Sequence, residues 1–143
     1  MTTTPEKIIY TARASATGGR GGHAKTDDGQ LEVDLAPPKE MGGAGGATNP
    51  EQLFAAGYAA CFQGALGVLA RTKGYDTSGS LVTAEVGIGP SGGSYGLAVK
   101  LIVQIPDVDQ ATAQEIADAA HEVCPYSNAT RGNIPVEIVA SPL

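Results

Sequence analysis

The sequence predicts an α+β fold, with antiparallel sheet packed around two main helices. Three observations point to it. Runs of alternating apolar and polar residues lie before, between and after two helical segments. Clusters of Gly, Pro and Asp separate these segments. The order is strands, helix, strands, helix, strand, not the regular strand–helix alternation of a parallel sheet.

Residues 7–15, Lys-Ile-Ile-Tyr-Thr-Ala-Arg-Ala-Ser, mix β-branched and aromatic side chains and suggest a first strand. Gly18-Gly-Arg20-Gly-Gly22 is a flexible tip. His23 to Ala36 reads as a hairpin turning at Asp28-Gly29, and Leu31, Val33 and Leu35 alternate with Glu32 and Asp34. Pro37 to Ala47 is a Gly- and Pro-rich loop inside one domain, 1–143, since neither side could form a full core alone. Thr48 or Asn49 can then cap a helix, with Pro50 at its first position and Glu51 in its first turn. No charge follows until Arg71, so this helix is expected to be buried on all sides. Its small residues between Ala56 and Gly67 invite close approach by another backbone. Leu81–Ile88 and Leu97–Ile105 read as strands joined by a loop over 89–94. Asp107 or Asp109 caps a second helix, which Pro125 stops, and Ile134–Ala140 is a last strand.

The 143 residues, 42 % of them apolar, suit one folded domain. A net charge of −6 argues against nucleic acid as partner. No run of ~18 unbroken apolar residues is present, so no membrane span is expected. The N-terminus lacks a basic start followed by an apolar stretch, so a cytoplasmic location is expected. In that reducing setting a cysteine pair is more often catalytic than a permanent cross-link.

The chemistry-bearing residues leave several readings open. Cys61 in Tyr58-Ala-Ala-Cys61-Phe62 could be a small core residue. Cys124 lies at a helix end beside Pro125. A metal site is disfavoured: there is no Cys-x-x-Cys or His-x-x-x-His, and His23 and His121 lie in distant segments. A Cys–His hydrolase could draw on His121 and Asn128, although Glu115, Asp118 and Glu122 make a solvated His121 the simpler expectation. A binding module with two core cysteines is the third reading. Taken alone, Arg20 would be a solvated loop charge and Glu51 a helix-dipole residue.

Two segments carry a resemblance. Asn49-Pro-Glu51-Gln-Leu-Phe-Ala-Ala-Gly-Tyr-Ala-Ala-Cys61-Phe and Val123-Cys124-Pro-Tyr-Ser-Asn-Ala-Thr-Arg-Gly-Asn133 resemble the signature segments of the OsmC/Ohr family. The second resembles the organic hydroperoxide resistance (Ohr) branch rather than the osmotically induced OsmC branch, and the similarity covers almost the whole chain. The resemblance implies an intertwined homodimer without metal, haem or flavin cofactors. It implies a thiol peroxidase that reduces organic hydroperoxides and is itself reduced by a lipoylated protein or another dithiol. Cys61 matches the peroxidatic cysteine and Cys124 the resolving one. Arg20 matches the arginine that polarises the thiolate, and Glu51 the carboxylate that orients it. A general OsmC-like peroxidase is the nearest alternative.

The chemistry fits these roles. Full ionisation of a thiol with a pKa of ~8.5 gains about 30-fold in thiolate at pH 7. A Brønsted slope of ~0.4–0.5 returns about as much in lost nucleophilicity. Most of the acceleration must therefore come from a preorganised donor, Arg20, stabilising charge on the departing oxygen. Apolar neighbours of the thiol, for which Phe62, Met41 and Tyr126 are the candidates, would favour organic over hydrogen peroxide. Glu51 and Cys61 are ten residues apart on one expected helix, roughly 15 Å along its axis and ~80° around it. They cannot share a site within one chain unless that helix breaks, so Glu51, with Arg20, is expected to serve the Cys61 of a second subunit.

Overall fold

The computed structural model describes residues 2–143. They form two compact units, Met1–Leu53 and Phe54–Leu143, each described by itself.

The first unit holds an antiparallel sheet of β1 (Ala14–Thr17), β2 (His23–Thr26) and β3 (Glu32–Asp34), in that order. The Asp28-Gly29 hairpin forms as expected, with Gly29 at φ 73°. Its turn is held by Gln30 N–H donating to the Asp28 carboxylate at 3.0 Å. The first strand starts later than its propensity suggests. Ile8, Ile9 and Tyr10 lie outside any strand and are 65 %, 89 % and 78 % exposed. A β-prone run forms a strand only where a ladder partner exists, and none of the described residues supplies one. After β3 the chain folds back through the 37–47 loop, where Gly43 and Gly45 donate to the carbonyls of Pro38 and Pro37. A Cβ on Gly43 would stand 2.1 Å from the Pro37 carbonyl oxygen, so only glycine fits. Asn49 is the helix cap: its Oδ1 accepts from Gln52 N–H at 2.9 Å.

Helix α1 (Pro50–Lys73) begins there and runs without a break. In the second unit it joins α2 (Gln110–Val123), α3 (Pro125–Thr130) and a sheet in the order β4 (Leu81–Ser91), β5 (Ser94–Ile105), β6 (Val136–Pro142). Val99, Leu101, Val103 and Ile105 alternate inward along β5. They belong to one core with Tyr58, Phe62 and Leu66 of α1 and Ile116 and Ala120 of α2.

Three expectations change here. The hairpin β4–β5 continues past residue 88, because Gly92 and Gly93, at φ 51° and 83°, supply a two-residue turn that keeps the ladder paired to its end. Strand β6 pairs with β5 in parallel. The helical crossover between them carries the chain back to the end where β5 began. Pro125 stops α2 at Val123 as expected, and it also opens α3. Helix α1 is buried on one face only. Ala56, Ala60, Gln63, Gly64 and Val68 are exposed, because one chain has too few elements to cover the other face. By length and composition α1 is also long and apolar enough to cross a membrane. Counting unbroken apolar runs misses this, since single polar residues interrupt the run. Its Tyr58, Phe62, Ala65, Leu66 and Leu69 are instead buried in the protein core.

Leu66 has no exposed surface. Leu66→Ala should cost about 2–5 kcal/mol of stability. Urea unfolding should show a lower midpoint with little change in slope.

Candidate active site

Two free thiols meet in the second unit. Cys61 on α1 is half-buried and Cys124 is buried. The Cys124 thiol donates to the Cys61 sulfur at 3.6 Å. Local chemistry explains the placement of Cys124. Its N–H still bonds the Ala120 carbonyl at 2.9 Å, closing α2. Proline at the next position disfavours helical geometry for the residue before it, and Cys124 is extended at φ −71°, ψ 123°. Pro125 is well suited to the first position of a new helix, and the Cys124 carbonyl accepts from Asn128 N–H at 3.0 Å. Cys124 thus ends one helix and heads the next.

Tyr126 lies close against α1. A Cβ on Gly57 would come within 3.0 Å of its hydroxyl, so this closeness suits a glycine one turn before Cys61. The Tyr126 ring tilts against Tyr58 at 5.7 Å and meets Phe54 edge-on at 6.3 Å. Burial pushes the Cys61 thiol up from its ordinary value, the Tyr126 backbone N–H pulls it down, and the Cys124 thiol pushes it up again.

A polar network backs the thiols. The Tyr58 hydroxyl meets the Ser127 hydroxyl at 2.8 Å and that of Thr130 at 3.1 Å, all three buried. Ser127 Oγ also meets His121 Nδ1 at 2.7 Å. His121 is therefore not the solvated residue its acidic neighbours suggest. Burial, then Arg131, pushes its pKa down. A signal for this network was present: a tyrosine inside an apolar helix needs a partner for its hydroxyl, and Ser127 and Thr130 recur at helical spacing after Cys124. The Cys–His hydrolase reading loses ground here, because the Nδ1 bond of His121 goes to Ser127 and Asn128 Oδ1 accepts from Arg131 at 2.7 Å. Among the described residues no cluster of His, Cys, Asp and Glu could hold a metal ion.

In the first unit Arg20 sits on a single 3-10 turn, Gly19–Gly21. Glycine makes the turn possible: Gly18 has φ 74°, and a Cβ on Gly22 would overlap the Thr17 carbonyl oxygen. Arg20 grips Glu51 with both ends of its fork, Nη1 to Oε2 at 2.9 Å and Nη2 to Oε1 at 2.8 Å. The Glu51 side chain is 12 % exposed and that of Arg20 42 %. Arg20 holds the Glu51 carboxyl below its ordinary pKa, against the opposing effect of burial. The sequence thus names both members of this pair, and the structure supplies the two-pronged contact.

Of the three pocket candidates, Phe62 is fully buried in the core of the second unit and Tyr126 is 40 % exposed against α1. Met41, 40 % exposed, belongs to the first unit.

The Arg20–Glu51 pair should respond to acid in a definite sense. A depressed carboxylate pKa adds stability that is fully present above the ordinary glutamate value of ~4.3. That stability is lost as pH falls through the lowered folded value. Carboxyl carbon NMR should place the Glu51 titration below ordinary glutamate, and Arg20→Ala should move it upward.

The chain can be set beside known proteins at this point. The model of the family described as OsmC-like protein matches residues 43–139. The organic hydroperoxide resistance protein of Xanthomonas axonopodis pv. citri is 52 % identical over 136 residues, covering 94 % of this chain and 96 % of that one. The organic hydroperoxide resistance protein OhrB of Bacillus subtilis is 45 % identical over 132 residues, 91 % and 96 % of the two chains. A crystal structure of an organic hydroperoxide resistance protein from Legionella pneumophila superimposes with a TM-score of 0.91 at 48 % identity, covering 94 % of this chain and 99 % of the other. The chain belongs to the OsmC/Ohr family, in its organic hydroperoxide resistance branch.

Proposed function

We propose that the chain is a cytoplasmic, single-domain, cysteine-based peroxidase that reduces organic hydroperoxides to alcohols. The observation that carries this reading is the pair of free thiols 3.6 Å apart. A disulfide spans ~2.05 Å, so a shift of roughly 1.5 Å would close the pair. The similarity to organic hydroperoxide resistance proteins supports the choice of substrate.

In the proposed cycle the Cys61 thiolate attacks the terminal peroxide oxygen. An S–O bond forms, the O–O bond breaks, and the departing alkoxide takes a proton to become the alcohol. Cys61 is left as a sulfenic acid. The Cys124 sulfur then attacks the Cys61 sulfur, expelling the oxygen as water and closing the disulfide. An external dithiol, such as a lipoylated protein, takes the oxidising equivalents and restores both thiols.

Arg20 is the proposed donor to the peroxide oxygens and Glu51 its positioning residue. Their two-pronged pairing supports that division of roles. A buried thiol pushed upward needs such a cation if it is to react as thiolate. Helix α1 is unbroken, so the pair is assigned to the Cys61 of a second subunit in a homodimer. The exposed Ile8, Ile9 and Tyr10 and the exposed small-residue face of α1 supply surface for such a dimer to cover.

Free thiols counted before and after one equivalent of tert-butyl hydroperoxide separate the readings. A peroxidase loses two thiols; a hydrolase or a binding module loses none. Cys61→Ser should abolish reduction. Cys124→Ser should react once and then accumulate sulfenic and higher acids at Cys61, visible by intact mass. Equal single-turnover reactivity of Cys61→Ser would refute the assignment.

Mixing tests the shared site. Inactive Cys61→Ser and Glu51→Ala chains, co-expressed with different tags, should regain activity in the mixed dimer at up to one good site per dimer. Verified heterodimers without activity would place each site within one chain.

A further inference from the structure

Helix α3 has six residues. Backbone bonds alone hold so short a helix poorly, yet Cys124 at its head must keep its sulfur against that of Cys61. The ties that hold α3 are side-chain bonds. Ser127 and Thr130 bond Tyr58 of α1, one turn before Cys61. Ser127 also bonds His121 of α2, on the far side of Cys124 in the chain. Arg131, just past α3, donates to the His121 carbonyl. His121 is therefore where α2 receives α3.

We propose that His121 is a positioning residue for disulfide closure: through Ser127 it staples α3 to α2 across Cys124 and keeps the Cys124 sulfur facing Cys61. The proposal rests on the peroxidase reading above. In the closing step the S–S bond forms as the S–O bond of the Cys61 sulfenic acid breaks. The oxygen leaves as hydroxide and is neutralised to water by the proton that Cys124 gave up. The attack must come in line with the breaking bond, so a misplacement of ~1 Å can cost about a hundredfold in rate.

The tautomer of His121 sets the direction of the hydroxyl chain. With the proton on Nε2, His121 accepts at Nδ1 from Ser127, Ser127 accepts from Tyr58, and Thr130 donates to Tyr58 or to the Ser127 carbonyl. Without the His121 acceptor the chain can reverse. Ser127 then donates to Tyr58, Tyr58 to Thr130, and Thr130 to the Ser127 carbonyl 3.2 Å away. The ties from α1 to α3 survive that reversal, as does the bond from Arg131 to the backbone carbonyl at 121, and only the side-chain staple from Ser127 to α2 is lost. A His121→Phe chain should thus stay folded while Cys124 loses its fixed aim.

The experiment separates the two chemical steps. Peroxide loss with one equivalent of tert-butyl hydroperoxide reads the attack by Cys61. Alkylation quench and non-reducing intact mass read disulfide closure. His121→Phe should consume peroxide within about twofold of the unmodified protein, close the disulfide at least about tenfold more slowly, and accumulate sulfinic acid at Cys61 in excess peroxide. His121→Asn, whose Oδ1 can accept near the place of Nδ1, should recover closure to within about threefold. The proposal is overturned if His121→Phe closes at the unmodified rate, if both steps slow equally, or if His121→Asn is as slow as His121→Phe. Absence of any disulfide in the unmodified protein would instead sink the peroxidase reading, and this inference with it.

Discussion

The second unit turns on the junction at Cys124. Proline at 125 has no N–H and crowds the residue before it, so α2 cannot simply run on. The chain takes one extended residue and starts again as α3. That single residue belongs to two helices, closing one with its N–H and opening the other with its carbonyl. The backbone at Cys124 moves only if one of the helices moves. The buried Tyr58–Ser127–Thr130 cluster and His121 tie α3 to α1 and α2. Each buried hydroxyl has a partner, and among the described residues no buried side-chain polar atom is left without one.

The same junction shapes the surroundings of Cys61. Helix α3 brings the Tyr126 N–H to the sulfur and lays the Tyr126 ring against α1, where Gly57 leaves room. These effects oppose burial only in part, and the thiol remains pushed upward. A thiol in that state is a poor nucleophile until a positive charge joins it. In the first unit Arg20, on a turn that glycine alone can make, is fixed by a mostly buried carboxylate. The pairing orients the guanidinium and reduces the cost of partly burying it.

Much of this was legible because it is local. Asn49-Pro50-Glu51 announces the start of α1, and Asp109 caps α2 by accepting from Thr112 N–H at 2.7 Å. Asp28-Gly29 marks a turn through its tolerance of positive φ. Cys61, Cys124, Arg20 and Glu51 could be named only through the resemblance of the segments around them to a known family, and the Arg20–Glu51 contact follows from opposite charges brought together by the fold.

Other features depend on partners far along the chain. Alternation along β5 and β6 looks the same whether they pair parallel or antiparallel, because side-chain period does not encode strand direction. The β-prone run Ile8-Ile9-Tyr10 has the propensity of a strand and no described partner in the chain to make it one. His121 sits among acidic residues in sequence, and only the packing of α3 shows that its ring turns inward to Ser127. By itself the sequence determined the helix starts and the Asp28-Gly29 turn, since each rests on the chemistry of a few adjacent residues. The tertiary structure decided the strand directions, the covered face of α1 and the 3.6 Å between the two sulfurs, because each is set by contacts between segments that only folding brings together.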